Sequence, residues 1–225
     1  MHKETPGFNI AIPIYEGVDL MDVAAPCEMF NWMGVYWKER AVTVELVEAE
    51  GRVVKTRDGA KLTPDKSFSD YQKHHLQAQL LWVPGGDPTH LQKTMRNSRY
   101  LNFLRKQSTA AVYVTSVCEG ALLLASAGLL DGYSATTHWA FIPCLKSFPK
   151  IKVAAGYPRY VVDRNRVTGG GISSGLDEAL ELIALVSSYE IATQVQLVTQ
   201  YFPRPPFNGT ITGAEDCPIK IKKAK

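Results

Sequence analysis

The chain has 225 residues, 45% of them hydrophobic and 21% charged, enough for one sizeable core and too ordinary for a disordered, collagen-like or coiled-coil protein. Its 25 Lys and Arg nearly balance 22 Asp and Glu, and a net charge of +3 excludes the basic excess expected of a nucleic-acid or anionic-membrane partner. The longest apolar stretch, Ala121 to Leu130, is about half a membrane span, and Met1 to Phe8 lacks a signal-peptide core, so the expectation is a soluble, unexported, cytoplasmic protein.

Phe8 to Tyr15 is apolar and β-branched, stops at the turn residues Glu16-Gly17 and is followed by a helical run from Asp19 to about Met33. Ala41 to Glu48 alternates as a second strand, and Val53 to Leu62 reads as a small hairpin turning at Asp58-Gly59. Leu80 to Val83 is a continuous apolar run stopped by Pro84-Gly85-Gly86, as suits a parallel strand covered on both faces. An amphipathic helix over Asn97 to Gln107 precedes the most β-prone stretch, Ala111 to Val117, and Glu119 to Leu129 reads as helix directly after it. Thr136 to Trp139 opens a further helix, Tyr160 to Thr168 is a hairpin around Asp163-Arg164-Asn165, and Ser173 to Tyr189 is one long helix. That helix is expected to be capped by Ser173 or Ser174, with Asp177 and Glu178 placed for the dipole of its first turns. Tyr201 to Lys225 is a Pro-rich tail whose basic end, Lys220, Lys222, Lys223 and Lys225, is expected to be solvated. Strands alternating with helices, without repeat or linker, predict a single doubly wound α/β domain with a mostly parallel sheet.

Cys27, Cys118, Cys144 and Cys217 are widely spaced with no CxxC pair, so neither a disulfide framework nor a structural metal is expected. In a parallel sheet, ligands bind beyond the carboxyl ends of the strands, which here lead to Glu16, Asp19 and Asp22, to Gly85-Gly86, and to Cys118. Cys118, between a strong strand and a helix with Gly120 and Ala121 behind it, has the setting of a nucleophile elbow; there an exposed thiol would have its thiolate favoured by the helix N-terminus. Gly85-Gly86 is either a plain turn or a loop whose amides face the thiol and stabilise developing negative charge. Asp22, an acid among apolar residues, is either a helix cap or a buried carboxyl that donates its proton near the sulfur. His138 is either structural or an auxiliary acid or base. No phosphate-binding glycine motif occurs, and Gly169-Gly170-Gly171 lacks the lysine and spacing of one.

The runs Tyr15 to Pro26, Val83 to Gly86 and Val114 to Ala121 resemble the ThiJ/PfpI superfamily, in particular its isonitrile hydratase (isocyanide hydratase) branch. Ala127 to Leu130, Ala135 to Trp139, Thr168 to Ile172 and Pro205 to Asn208 extend the resemblance over nearly the whole chain. Similar motifs occur in amidase-like domains fused to AraC-type transcription regulators, although no DNA-binding helical module is expected after Pro206. The resemblance implies a flavodoxin-like sandwich, a single domain over residues 1–208 with a basic tail over 209–225, and a homodimer, with Met29-Phe30 and Trp32-Met33 either at its contact or in the core. It further implies Cys118 as nucleophile, Asp22 as the acid beside the sulfur, and Gly86 with the amide of Glu119 as anion donors, Gly85 flanking them. Glu119 itself departs from the family, whose hydratases carry threonine after the cysteine, and the histidine found there in protease-like and amidase-like members is absent. The implied reaction is hydration of an isonitrile to an N-substituted formamide through a covalent thioimidate, with a small-molecule substrate and neither metal nor organic cofactor. A glyoxalase-like or amidase-like enzyme and a non-catalytic cysteine redox sensor are the competing readings.

Overall fold

A computed structural model describes residues 7–221. In chain order the elements are β1 (Gly7–Pro13), α1 (Leu20–Tyr36), β2 (Ala41–Glu48), β3 (Val54–Lys55), β4 (Lys61–Leu62), β5 (Lys66–Ser67), α2 (Phe68–Lys73), β6 (Leu80–Val83), α3 (Pro88–Thr94) and α4 (Ser98–Ser108). There follow β7 (Tyr113–Ser116), α5 (Gly120–Ser126), β8 (Ser134–Ala135), a 3-10 turn (Trp139–Phe141) running into α6 (Ile142–Leu145), β9 (Lys152–Val153), β10 (Tyr160–Asp163), β11 (Arg166–Gly169), α7 (Ser174–Val186) and α8 (Tyr189–Val198).

The seven-stranded central sheet has the order β10-β11-β7-β6-β1-β2-β5, and all its pairings are parallel except β10 with β11. Helices cover both faces, which is why the apolar run of β6 is buried along its whole length. After β1 the chain first builds outward to β2 and β5 and then returns to add β6, β7 and β11 on the other side. The reversal brings the carboxyl ends of β1, β6 and β7 together at the crevice where open α/β sheets bind ligands.

Several elements differ from the sequence reading. The predicted Ser173 to Tyr189 helix is α7, which stops three residues early at Val186 where Ser187 leaves helical geometry at ψ −88; α8 beyond it, capped by the Ser188 hydroxyl through Ile191 N–H at 3.3 Å, was not read from the pattern. Ser173 and Ser174 cap nothing, since the N-terminal position of α7 carries no side-chain bond. The short α2, closed by a capping box between Ser67 and Asp70, and α3, capped by Asp87 with Pro88 at its start, were not read from the pattern. Met29, Phe30 and Met33 lie in the core of one chain, Phe30 edge-on to Trp82 at 5.7 Å, so they are not a subunit contact; these apolar residues point inward from α1.

The cysteine reading also needs correction. Cys144 in α6 and Cys217 in the tail form a disulfide across a sequence separation of 73, with Cα atoms 4.7 Å apart. Nor is the whole tail free in solvent. Ile219 and Ile221 pack on the core and the Lys220 carbonyl accepts from Gln92 Nε2 at 2.9 Å, while the Lys220 side chain is exposed. Lys222, Lys223 and Lys225 lie outside the described residues. Among the described residues no helix is long and apolar enough to cross a membrane.

Candidate active site

Cys118 joins β7 to α5 in the left-handed region, at φ 56°, a conformation of order 1–3 kcal/mol above the ordinary ones that persists only where surroundings enforce it. Its N–H donates to Gly170 O at 2.8 Å and its carbonyl accepts from Thr137 Oγ1 at 2.7 Å, so the peptide groups on both sides are fixed. Behind it Gly120 packs so tightly on β6 that a Cβ there would run into the Val83 carbonyl oxygen. These contacts give the strained strand-turn-helix elbow anticipated for this residue.

The thiol is not exposed, however: Cys118 is only 1% accessible. Burial first, then the nearby Asp22 and Glu119, push the thiol well above its ordinary value, and the Ile172 amide facing the sulfur opposes them. The expected thiolate-favouring effect of a helix N-terminus is therefore overturned, because α5 is a single short segment and the sulfur lies in a closed, acid-lined space.

Asp22 lies on the inner face of the first turn of α1, fully buried, and Asp19 occupies the cap position instead. Asp22 Oδ2 accepts from Gly85 N–H at 2.9 Å, and the Asp22 carbonyl accepts from Trp82 Nε1 at 2.9 Å. Carboxyl oxygens of Asp19 and Asp22 and the Cys118 sulfur all lie within 4.8 Å of one another. Burial, then Asp19, holds the Asp22 carboxyl well above the usual range, against the Gly85 amide. Asp19 is raised too, by burial, and is steadied by an ion pair with Arg57 Nε at 3.1 Å from the β3–β4 hairpin. With Asp22 taken up by Gly85 and Asp19 by Arg57, this donor set suits the sharing of protons with the thiol better than the holding of a cation.

Glu119 is also inside the site, 5% accessible. A Cβ on Gly85 would come within 2.5 Å of Glu119 Oε2 and 2.7 Å of Cys118 Cβ, so the two side chains flank the same glycine. Burial pushes the Glu119 carboxyl up to about 7, while the Cys118 thiol, its own amide and the Gly86 amide hold it from going further. The Gly86 and Glu119 amides thus face the Glu119 carboxyl, and the Gly85 amide is taken by Asp22. His138 comes next to Glu119 rather than the sulfur: Nδ1 stands 4.0 Å from Glu119 Oε1 and accepts from Ala140 N–H at 3.3 Å. Burial lowers the imidazole, and the facing Arg57 adds to this. A cavity of about 70 Å³ between Thr137, Trp139, Tyr157, Gly171 and Ile211 adjoins the elbow. Neither it nor a larger cavity of about 450 Å³ is lined by Cys118, Asp22, Glu119 or His138.

Sequence reasoning missed Arg57, Tyr15, Ile172 and Glu178. Glu178 is fully buried on α7, both carboxyl oxygens lacking a hydrogen bond, and burial followed by Asp22 raises it well above the usual range. Reading it as a first-turn dipole partner considered its height along the helix and not its face. Buried residues of α7 fall at 174, 175, 178, 179, 182 and 183, a helical stripe that includes it.

A flavodoxin-like sheet carrying a left-handed cysteine elbow beside a buried carboxyl defines a class of protein, and the comparisons agree with it. The DJ-1/PfpI family pattern matches residues 9–185, and the chain belongs to this family. An isonitrile hydratase from Pseudomonas putida is 40% identical over 167 residues, spanning 74% of this chain and 69% of that relative. The HTH-type transcriptional regulator GbdR of Pseudomonas aeruginosa is 27% identical over 179 residues, 79% of this chain but only 46% of the regulator. Among solved structures, a ThiJ/PfpI family protein from Pseudomonas syringae superposes with a TM-score of 0.80 and 31% identity, covering 91% of this chain and 79% of that one. Drosophila melanogaster DJ-1beta shares the fold, with a TM-score of 0.73 at 18% identity over 86% of this chain and 98% of its own.

Proposed function

We propose that this protein is a cysteine-dependent isonitrile hydratase. The observation that carries the reading is the buried Asp22 carboxyl within 4.8 Å of the Cys118 sulfur on a left-handed elbow, in a chain 40% identical to an isonitrile hydratase. One proton shared by the pair spares the closed site two adjacent negative charges. The thiolate attacks the terminal carbon of R–NC and Asp22 gives its proton to that carbon, forming the thioimidate R–N=CH–S–Cys118. Water then releases R–NH–CHO. Splitting the addition at a covalent stage replaces one high barrier with two lower ones. The acids around the thiol, Asp19, Asp22 and Glu119, favour a neutral substrate over an anionic one.

The experiment is a panel of isonitriles, methylglyoxal and small amides assayed with wild type and Cys118→Ser. Formamide production from isonitriles that disappears in the serine variant supports the reading. Turnover of methylglyoxal or amides alone overturns it in favour of carbonyl chemistry. Rapid peroxide oxidation of Cys118 without any turnover overturns it in favour of a sensor.

A further inference from the structure

The hydrolytic half of this reaction needs a base for the attacking water. Asp22, left as a carboxylate once its proton has gone to carbon, has Oδ2 held by the Gly85 amide and is the group that takes up the later hydroxyl proton. Glu119 is placed to be the base. Its carboxyl flanks Gly85 together with the Cys118 Cβ, and Oε2 is buried without a hydrogen bond. The other oxygen, Oε1, stands 4.0 Å from Nδ1 of the partly exposed His138. The charged and titratable groups facing Glu119 are Cys118 on the elbow, Asp19 before α1 and Asp22 within it, Tyr15 after β1, Arg57 from the β3–β4 hairpin and His138 before the 3-10 turn.

We propose that Glu119 is the general base of the hydrolytic step, taking a proton from the water that attacks the Cys118 thioimidate and passing it to the substrate nitrogen. The inference rests on the hydratase reading. Water oxygen bonds to the thioimidate carbon, one water proton goes to the Glu119 carboxylate, and the C=N pair moves onto nitrogen. Nitrogen then takes that proton from Glu119, giving R–NH–CH(OH)–S–Cys118. The hydroxyl proton passes to the Asp22 carboxylate, the C=O bond forms, and the C–S bond breaks to return the thiolate. Glu119 ends as carboxylate and Asp22 as acid, as both began. A base that ionises near neutrality suits this two-way traffic.

The test is rapid-quench intact-mass analysis of wild type and Glu119→Gln with benzyl isonitrile, alongside formamide production. The glutamine variant should form the Cys118 adduct at a rate close to wild type and lose it at least about a hundredfold more slowly, so that the adduct accumulates. In wild type, adduct breakdown should rise through about pH 7 and level off. Wild-type breakdown rates in Glu119→Gln, or a folded variant that forms no adduct, would overturn the role. If the variant does not fold, the wild-type profile decides: breakdown that stays flat from about pH 5 to about pH 9 overturns the role and a rise supports it. A wild-type protein that yields neither adduct nor formamide refutes the hydratase reading itself, and this role with it.

Discussion

Replacing Glu178 by Met should make the protein more stable, by an amount that grows with pH. The carboxyl is fully buried, neither oxygen has a hydrogen bond, and among the described residues no cation opposes its burial, so even when protonated it carries the cost of an unpaired buried polar group, about 1–3 kcal/mol. The unfolded chain releases this proton near pH 4.3, whereas the folded chain retains it well above that. Across that window the folded state binds the extra proton. Stability is therefore greatest below the unfolded pKa and falls by up to about 1.4 kcal/mol per pH unit until the folded value is passed. Methionine has similar length, removes the titration and fills the same space beside Gly169. At about pH 5 the gain should be roughly 1–3 kcal/mol, or about 2–12 °C in melting temperature for a chain of this size, and it should widen toward neutrality. Urea or thermal denaturation of wild type, Glu178→Met and Glu178→Gln at several pH values measures this. The glutamine variant should lose the pH-dependent part and keep the unpaired-group cost. A Glu178→Met variant less stable than wild type, or a difference that does not change with pH, would refute the reasoning.

Three further outcomes follow from the same geometry. Asp22→Asn should lower kcat by about a hundredfold or more while leaving KM close to its original value, since the amide keeps a bond to the Gly85 amide but has no proton for the substrate carbon; steady-state kinetics on an isonitrile measures both. Gly120→Ala should displace the elbow from β6, costing at least about 1–3 kcal/mol and most of the activity, as read by urea denaturation and formamide assay. Cys217→Ser should lose about 2–5 kcal/mol of stability under oxidising conditions and match wild type once excess dithiothreitol has reduced both.

Much of the fold was legible because the sheet strands state their burial in composition. Leu80 to Val83 is apolar throughout since both faces are covered, and Ala41 to Glu48 keeps its exact limits. The two-residue β5, the short helices α2 and α3 and the break at Ser187-Ser188 were not legible, because each depends on caps or on a few residues with no period to read. At the site, the sequence singled out Cys118, Asp22, Gly85, Gly86, Glu119 and His138, and the structure brings all six into one neighbourhood. What it did not reveal was the closure around the thiol. Burial together with Asp22 and Glu119 raises the thiol, and the groups around the elbow, such as Thr137 and Ile172, reach it through segments distant in the chain. The disulfide was hidden for a related reason: spacing along the chain says nothing of a tail that folds back onto α6.

On the proposed route Cys118 carries the substrate as a covalent thioimidate on its way to a formamide. The most direct measurement uses an isonitrile labelled with carbon-13 at its terminal carbon, acid-quenched within one turnover and followed by peptide mass mapping and carbon NMR. The label should appear first on the peptide containing Cys118 and then pass quantitatively into the formyl carbon, with neither event in Cys118→Ser. Labelled formamide formed with no label ever on Cys118, or formed at the wild-type rate by Cys118→Ser, would contradict the account.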